Sequence, residues 1–375
     1  MSKKVLVTGG AGFIGSHLVD KLVELGHGVR VFDNLEPQVH GSEGKVPEYL
    51  NSECEFIKGD IRDKSALKNV LKGTEVVFHQ AAMVGVGQSM YKINKYMEVN
   101  TLGMANLLDI LVNEKHKMEK LIIASSMSVY GEGKYKCDNC GTVYPRLRSL
   151  EQLKRREWEM SCPLCGKCVE GIPTPEDKPL YPTSVYAISK RDQEEICLVV
   201  GRAYDIPTVA LRYFNVYGPR QALSNPYTGV AAIFSARIKN QHNPIIFEDG
   251  LQSRDFIHVR DIVQANILAM GKKEANFEIF NVGMGRKLTI LDMANILIRR
   301  LGADGLAPEL VNKYREGDIR HCYADVSKIK EKLGYEPRVR FEDGILDLVD
   351  WVKDEEAVDR FEESRRELET KGLTL

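Results

Sequence analysis

Long apolar runs are missing from this chain of 375 residues, none approaching the eighteen or so that a membrane span requires. A surplus of charge is missing too. Lys plus Arg (52) nearly balances Asp plus Glu (53), and a formal charge of -1 sets up no global field for gathering nucleic acid or an anionic membrane. Any polyanion must therefore be met locally. The stretch ahead of the first strand-like run is too short for a signal peptide, and neither internal repeats nor low-complexity tracts occur. The expectation is a cytoplasmic protein without membrane or nucleic-acid partners. Cysteine is sparse at 8 residues, yet five of these crowd into "CDNC" at 137–140 and "CPLCGKC" at 162–168. In a reducing compartment such pairs are better read as metal ligands than as disulfides.

What is present is an ordinary apolar fraction of 43%, enough for a real core, and a regular alternation of elements. "KKVLVTGG" predicts a strand and glycine turn, and "FIGSHLVDKLVELG" a helix ending at Gly26. Strands "GVRVFD", "CEFIKGD", "EVVFHQAA" and "EKLIIASS" then alternate with helices "KSALKNVLKG" and "NTLGMANLLDILVNE". Strand–helix alternation implies parallel pairing with right-handed crossovers, hence an α/β fold with a doubly wound parallel sheet of the Rossmann kind. The cysteine segment interrupts the alternation, which resumes with "VYAISKRDQEEICLVVGRAY" and "PTVALRYFNVYG". Beyond Gly218 the pattern loosens into a smaller α/β substrate-binding lobe that takes in "RDFIHV", the helix from Val259 and "FEIFNVG". The expected division is 1–133 with 172–212 for the dinucleotide domain, 134–171 for the insert, 213–352 for the lobe, and 353–375 for an exposed, charge-rich terminal helix.

Gly9, Gly12 and Gly15 give the spacing TGGxGxxG between a strand and a helix. Such glycines allow a tight turn and a close backbone approach to a pyrophosphate, whose charge sits on the free N–H groups of the helix N-terminus. A glycine triple alone is a weak signal, and a plain turn is the bland reading. Asp33 strengthens it. Standing at the end of the second strand, its carboxylate can accept the ribose hydroxyls of NAD and would repel the 2′-phosphate of NADP. Asp60 ends the third strand, where it suits an adenine edge or, equally, a helix N-cap.

Tyr186 and Lys190 form a YxxxK pair one helical turn apart, and "SSMSVYG" puts Ser125 and Ser126 at the carboxyl edge of the sheet. A tyrosine with a pKa of about 10 is a poor base at neutral pH. A neighbouring ammonium and an oxidised nicotinamide favour the phenolate, and bringing a phenol from about 10 down to about 7 takes about 4 kcal/mol. Tyr186 is then a general base for a substrate hydroxyl, with Ser126 hydrogen-bonding that hydroxyl and Lys190 holding the nicotinamide ribose.

TGGAGFIG, Asp33, "SSMSVYG" and "YAISK", in this order, resemble the extended short-chain dehydrogenase/reductase family, specifically its nucleotide-sugar epimerases and dehydratases. The resemblance runs from residue 4 to about residue 352, the insert excepted. It implies catalytic roles for Ser126, Tyr186 and Lys190, and cofactor contacts at Gly9, Gly12, Phe13, Ile14, Gly15, Asp33, Asn34, Asp60, Ile61, Ala81, Ala82 and Asn100. It also implies that the residues matching Asn215, Arg254 and Arg315 grip a sugar nucleotide's diphosphate, with Arg220 beside them. Guanidinium suits that task because it binds phosphate oxygens bidentately. Asp255, His258 and Asp261 are assigned to structure. The family's dehydratases place an Asp-Glu pair after the catalytic hydroxyl residue; here Met127 and Ser128 stand there, and neither serves as the acid or base that elimination needs. What remains is C4 inversion through a 4-keto sugar, on dTDP-L-rhamnose or a related dTDP- or UDP-hexose. Another oxidoreductase or dehydratase of the family, and a non-catalytic NAD-sensing protein, are the rivals. Helices near 96–114 and 184–203 match those through which the family dimerises as a four-helix bundle.

Sixty residues separate Ser126 from Tyr186, well beyond the family's usual spacing, and the excess is the cysteine segment. Two CxxC pairs, each followed by glycine, predict a zinc-ribbon-like site with Cys137, Cys140, Cys162 and Cys165 as ligands and Cys168 as the rival fourth. Four thiolates leave no open coordination position, so the expected zinc is structural. A redox pair and an unmetallated loop are the alternatives. The basic run "RLRSLEQLKRREW" between the pairs is expected to be a solvated helix face.

Overall fold

The structure is a computed structural model that describes residues 2–315 and 317–374. Its first strands are β1 (Lys4–Thr8), β2 (Gly28–Asp33), β3 (Glu55–Lys58), β4 (Val76–His79) and β5 (Lys120–Ser126). Between β1 and β2 lies α1 (Phe13–Glu24), whose buried face repeats at Gly15, Leu18, Val19 and Leu22. Gly26, in the left-handed region at φ +78°, stops it, and the amides of Gly26 and His27 turn back onto Val23 and Leu22.

After β5 the chain leaves through the insertion: β6 (Lys134–Cys137), β7 (Gly141–Val143) and β8 (Glu170–Ile172) form a small antiparallel sheet, with the short helix Leu150–Lys154 in between. It returns with α2 (Val185–Ala203), capped by Ser184 Oγ accepting from the Ala187 amide at 3.1 Å, and β9 (Thr208–Tyr213). A last strand, β10 (Ile279–Val282), completes a seven-stranded parallel sheet in the order β10-β9-β5-β4-β1-β2-β3. β5 and β9 are almost wholly buried, as strands covered by helices on both faces must be. The order reverses between β1 and β4, which opens a crevice at their carboxyl ends.

Three elements depart from the sequence pattern. "FEIFNVG", expected in the small lobe, supplies β10 at the sheet edge, in register with β9 from Ile279 opposite Ala210 to Val282 opposite Tyr213. The preceding helix Val259–Gly271 packs against α1 and the sheet as well as on the lobe, where Asp261 takes the amides of Arg338 and Val339. A four-residue apolar strand looks the same in either place, and only its hydrogen-bonding partner decides. The terminal helix, α3 (Phe361–Thr370), is docked rather than merely exposed. Leu368 is buried against Gly87, and Glu367 accepts from the Tyr227 hydroxyl at 2.7 Å. The smaller lobe itself forms around helices Val230–Lys239, Ile290–Arg300 and Phe341–Asp354, with short strands at Ser253–Arg254 and His321–Cys322 paired in parallel. No helix among the described residues is long and apolar enough to cross a membrane.

Candidate functional site

A cavity of about 300 Å³ opens at the carboxyl ends of the sheet. Its floor is the loop after β1. Gly9 has φ +70°, and a Cβ on Gly15 would fall 2.2 Å from the Gly9 carbonyl oxygen, so the loop closes on itself only with glycine in both places. Behind it α1 begins at Gly12 with no side-chain cap and no acid in its first turn, leaving its amides open to a negatively charged group. Phe13, Ile14, Asp33, Asn34, Asp60, Ile61, Ala81 and Ala82 line the same cavity.

Asp33 accepts from the Ala11 amide at 3.1 Å on one oxygen and from the Leu35 amide at 2.9 Å on the other. The carboxylate is fixed, and each oxygen keeps a lone pair for a further donor. Asp60 is partly buried, which disfavours its charge, yet hydrogen bonds from Arg62 and Asn34 hold its carboxyl down at about 2. Asn100 lies deeper than expected: fully buried, it bonds Met83 on both its amide and carbonyl and the Ser189 hydroxyl at 2.9 Å, and so braces the wall from behind.

Ser126, Tyr186 and Lys190 meet on the far side of the cavity. Ser128 donates to Ser126 Oγ twice, from its amide at 3.2 Å and its hydroxyl at 2.9 Å, which leaves the Ser126 proton free to point into the cavity. The Tyr186 ring is held edge-on by Tyr96 at 6.4 Å between centroids. Burial pushes the Tyr186 hydroxyl above its ordinary pKa while Ser126 draws it down. Burial also lowers Lys190 to about 7, with its Nζ on the Ala124 carbonyl at 2.8 Å. The expected depression of Tyr186 by Lys190 is thus not a property of these residues by themselves: both are buried, and desolvation disfavours both charged forms.

The wider cavity wall includes Gln80, Val84, Val99, Tyr213, Phe214, Asn225 and Thr228, which no motif had marked. Beneath the site Glu194 accepts from Ser125 Oγ at 2.8 Å and pairs with Arg212, both side chains at most 2% exposed. Its place eight residues after Tyr186 on the same helix face was the one available clue.

Asn215, Arg220, Arg254 and Arg315 stand outside this cavity's lining. Arg220 pairs with Asp20 of α1 at 2.7 Å over the Tyr49 ring. Asn215 Oδ1 is buried with no hydrogen-bond partner among the described residues. Arg254 gives three N–H bonds to the carbonyls of Ser253, Ile319 and Arg320, and Arg315 is half-exposed over the Phe247 ring with Asp318 at 2.9 Å. Asp255 and Asp261 each accept backbone amides, at Met284, Gly285 and Ala324 and at Arg338 and Val339, as structural carboxylates do.

In the insertion, the thiols of Cys137, Cys140, Cys162 and Cys165 lie within 4.8 Å of one another. Gly141 and Gly166, at φ +74° and +73°, turn the chain after each pair, and the Leu164 amide points at Cys162 Sγ at 3.4 Å. Cys168 is exposed and stands outside the group. The basic run is not uniformly solvated: Arg148 is buried against Glu248.

The profile of the family described as "NAD dependent epimerase/dehydratase family" matches residues 5–149 and 159–283, its gap falling inside the insertion. A dTDP-L-rhamnose 4-epimerase from Burkholderia thailandensis is 34% identical over 356 residues, covering 94% of this chain and 96% of that protein. Among solved structures, UDP-glucose 4-epimerase from Thermotoga maritima with UDP-glucose has a TM-score of 0.73 at 34% identity, covering 93% of this chain and 98% of that one. UDP-glucuronic acid 4-epimerase from Bacillus cereus, with UDP-glucuronic acid and NAD, has a TM-score of 0.76 at 28% identity, covering 93% and 99%.

Proposed function

The chain belongs to the NAD dependent epimerase/dehydratase family, and on that footing we propose that it is a nucleotide-sugar 4-epimerase acting on dTDP-L-rhamnose or a related dTDP- or UDP-hexose. The observation that carries this reading is the single cavity in which the glycine loop and Asp33 face Ser126, Tyr186 and Lys190. The glycine loop and the α1 amides would hold the pyrophosphate of NAD, and Asp33 its adenosine ribose. A bound NAD would supply the site with an acceptor and donor for the C4 hydride and with the positive charge of its oxidised ring.

Tyr186 removes the C4 hydroxyl proton as that carbon is oxidised and gives it back on reduction. Ser126, whose oxygen already accepts two donors from Ser128, offers its own proton to the same substrate oxygen. Lys190 holds the nicotinamide ribose and, once charged, steadies the phenolate. Met127 and Ser128 give no carboxylate beside Ser126, which favours inversion over elimination of water. Asn215, Arg254 and Arg315 bind the diphosphate. Of the five N–H groups of Arg254, the two left by its carbonyl bonds are Nε–H and one Nη2–H, the edge that meets a phosphate in a fork.

Two further assignments rest on side-chain placement. The four converging thiols suit a structural zinc ion, since tetrahedral sites made of four cysteine thiolates are closed. Leu102, Ile188 and Val199 expose apolar surface on the helices expected to pair as a four-helix bundle, which supports a homodimer.

Proton NMR of the purified protein, incubated separately with dTDP-L-rhamnose and UDP-glucose, tests the reading. The expected result is accumulation of one C4 epimer without release of NADH. No turnover of either, with NAD supplied, counts against it.

A further inference from the structure

The insertion does more than carry four thiols. Arg148 crosses into the smaller lobe and forks onto Glu248, with both bonds at 2.8 Å and both side chains at most 3% exposed. A further N–H of Arg148 reaches the Asp318 carbonyl at 3.2 Å. From the other arm, Glu159 accepts from Arg320 Nε at 3.1 Å and from the His321 ring at 3.2 Å. Arg320 is fully buried; a second N–H goes to Glu159 at 2.5 Å, and the other three go to Glu248 at 3.1 Å and to both oxygens of Asp249 at 2.7 and 2.9 Å. At the neck of the insertion Glu132 takes the Arg320 amide at 2.6 Å. Residues 318–321 are therefore gripped from three sides by groups in or beside the insertion.

That same segment holds two arginines in place. Arg254 rests on the carbonyls of Ile319 and Arg320 at 2.7 and 3.0 Å, and Arg315 is oriented by the Asp318 carboxylate. Buried guanidinium–carboxylate forks fix geometry sharply, because any misalignment leaves a charge in the interior without its partner.

We propose that Arg148 and Glu159 of the insertion are positioning residues for the diphosphate site: through Arg320 and the 318–321 backbone they set the aim of Arg254 and Arg315. The proposal rests on the reading of those two arginines as the diphosphate grip. It makes the insertion a part of the nucleotide site rather than an appendage, acting on the nucleotide half of the substrate and not on the C4 chemistry.

Calorimetric titration of the full-length protein with dTDP and with UDP, using whichever binds the wild type more tightly, tests it. Glu159→Gln is nearly isosteric and half-exposed, so the fold should survive; Arg148→Lys keeps the charge and loses the fork. Each is expected to weaken the nucleoside diphosphate and raise KM roughly five- to tenfold, with kcat within about twofold of wild type. Adding Glu159→Gln to Arg254→Ala should cost less than Glu159→Gln costs alone, because only the share that acts through Arg315 is left. Unchanged binding in Glu159→Gln and Arg148→Lys, beside a weakened Arg254→Ala, overturns the proposal alone. So does an equal loss from Glu159→Gln in the Arg254→Ala background. An Arg254→Ala protein that binds the nucleotide as tightly as wild type overturns the diphosphate reading underneath, and the proposal with it.

Discussion

Tyr186, the proposed base, is held towards its neutral form by its own surroundings, since burial raises its hydroxyl and brings Lys190 down to about 7. On the proposed reading, a bound cofactor's positive charge would favour ionisation of Tyr186 and so tie the reactive state to the loaded site. Tyr186→Phe should keep the fold and the bound cofactor while lowering kcat by about 10²–10⁴, as loss of a general base does; undiminished turnover with NAD retained would refute its role. Gly15→Ala should give protein without cofactor, because the new Cβ lies 2.2 Å from the Gly9 carbonyl; absorbance of the purified protein together with NAD assay reads this directly. These residues were legible in the sequence because each is demanded by one chemical task at one spacing. Asn100, which the family resemblance put among the cofactor contacts, is buried behind the cavity wall, a depth that a sequence motif does not carry. Glu194 was missed because its meaning depends on Arg212, which arrives from another strand.

The Glu194–Arg212 pair joins α2 to β9 and, through Ser125, to β5. Arg212→Met leaves Glu194 charged and uncompensated in the interior and should cost about 3–5 kcal/mol, read from urea unfolding with the slope unchanged. A loss below about 1 kcal/mol would show that α2 is held chiefly by its apolar face. Elements with long periodic faces, such as α1 and α2, were plain in the sequence. β10 was not, since a short buried run carries no mark of which sheet it joins. α3 was read as exposed because its apolar stripe is narrow, with Phe361, Ser364 and Leu368 on one side of a helix otherwise full of charge.

At the scale of the whole molecule, the doubly wound sheet followed directly from the alternation of strands and helices, whereas the union of insertion and smaller lobe could not be read from either segment. Two measurements address that union. Chelation should speed amide exchange within residues 134–172 and leave β1, β4 and β5 protected, if the thiols hold zinc; unchanged exchange throughout would argue for an unmetallated loop. Acid should act through Glu159, which the His321 ring and then Arg320 hold at about 2, down from an ordinary 4.5. A depressed carboxyl contributes fully above about pH 4.5 and less as the pH falls towards 2, so the wild type should lose more thermal stability than Glu159→Gln between about pH 6 and 3. An equal loss in both would show that Glu159 contributes nothing to acid sensitivity. One further consequence concerns how the chain assembles. The insertion leaves and returns through adjacent strands, with Lys134 of β6 opposite Ile172 of β8. Once that neck zips, the loop between β5 and α2 is effectively shortened, and the entropy of closing it opposes their docking less. If the thiols hold zinc, a newly synthesised chain can build its parallel sheet before metal arrives, and the arginines proposed to grip the diphosphate would be the last part of the enzyme to come to attention.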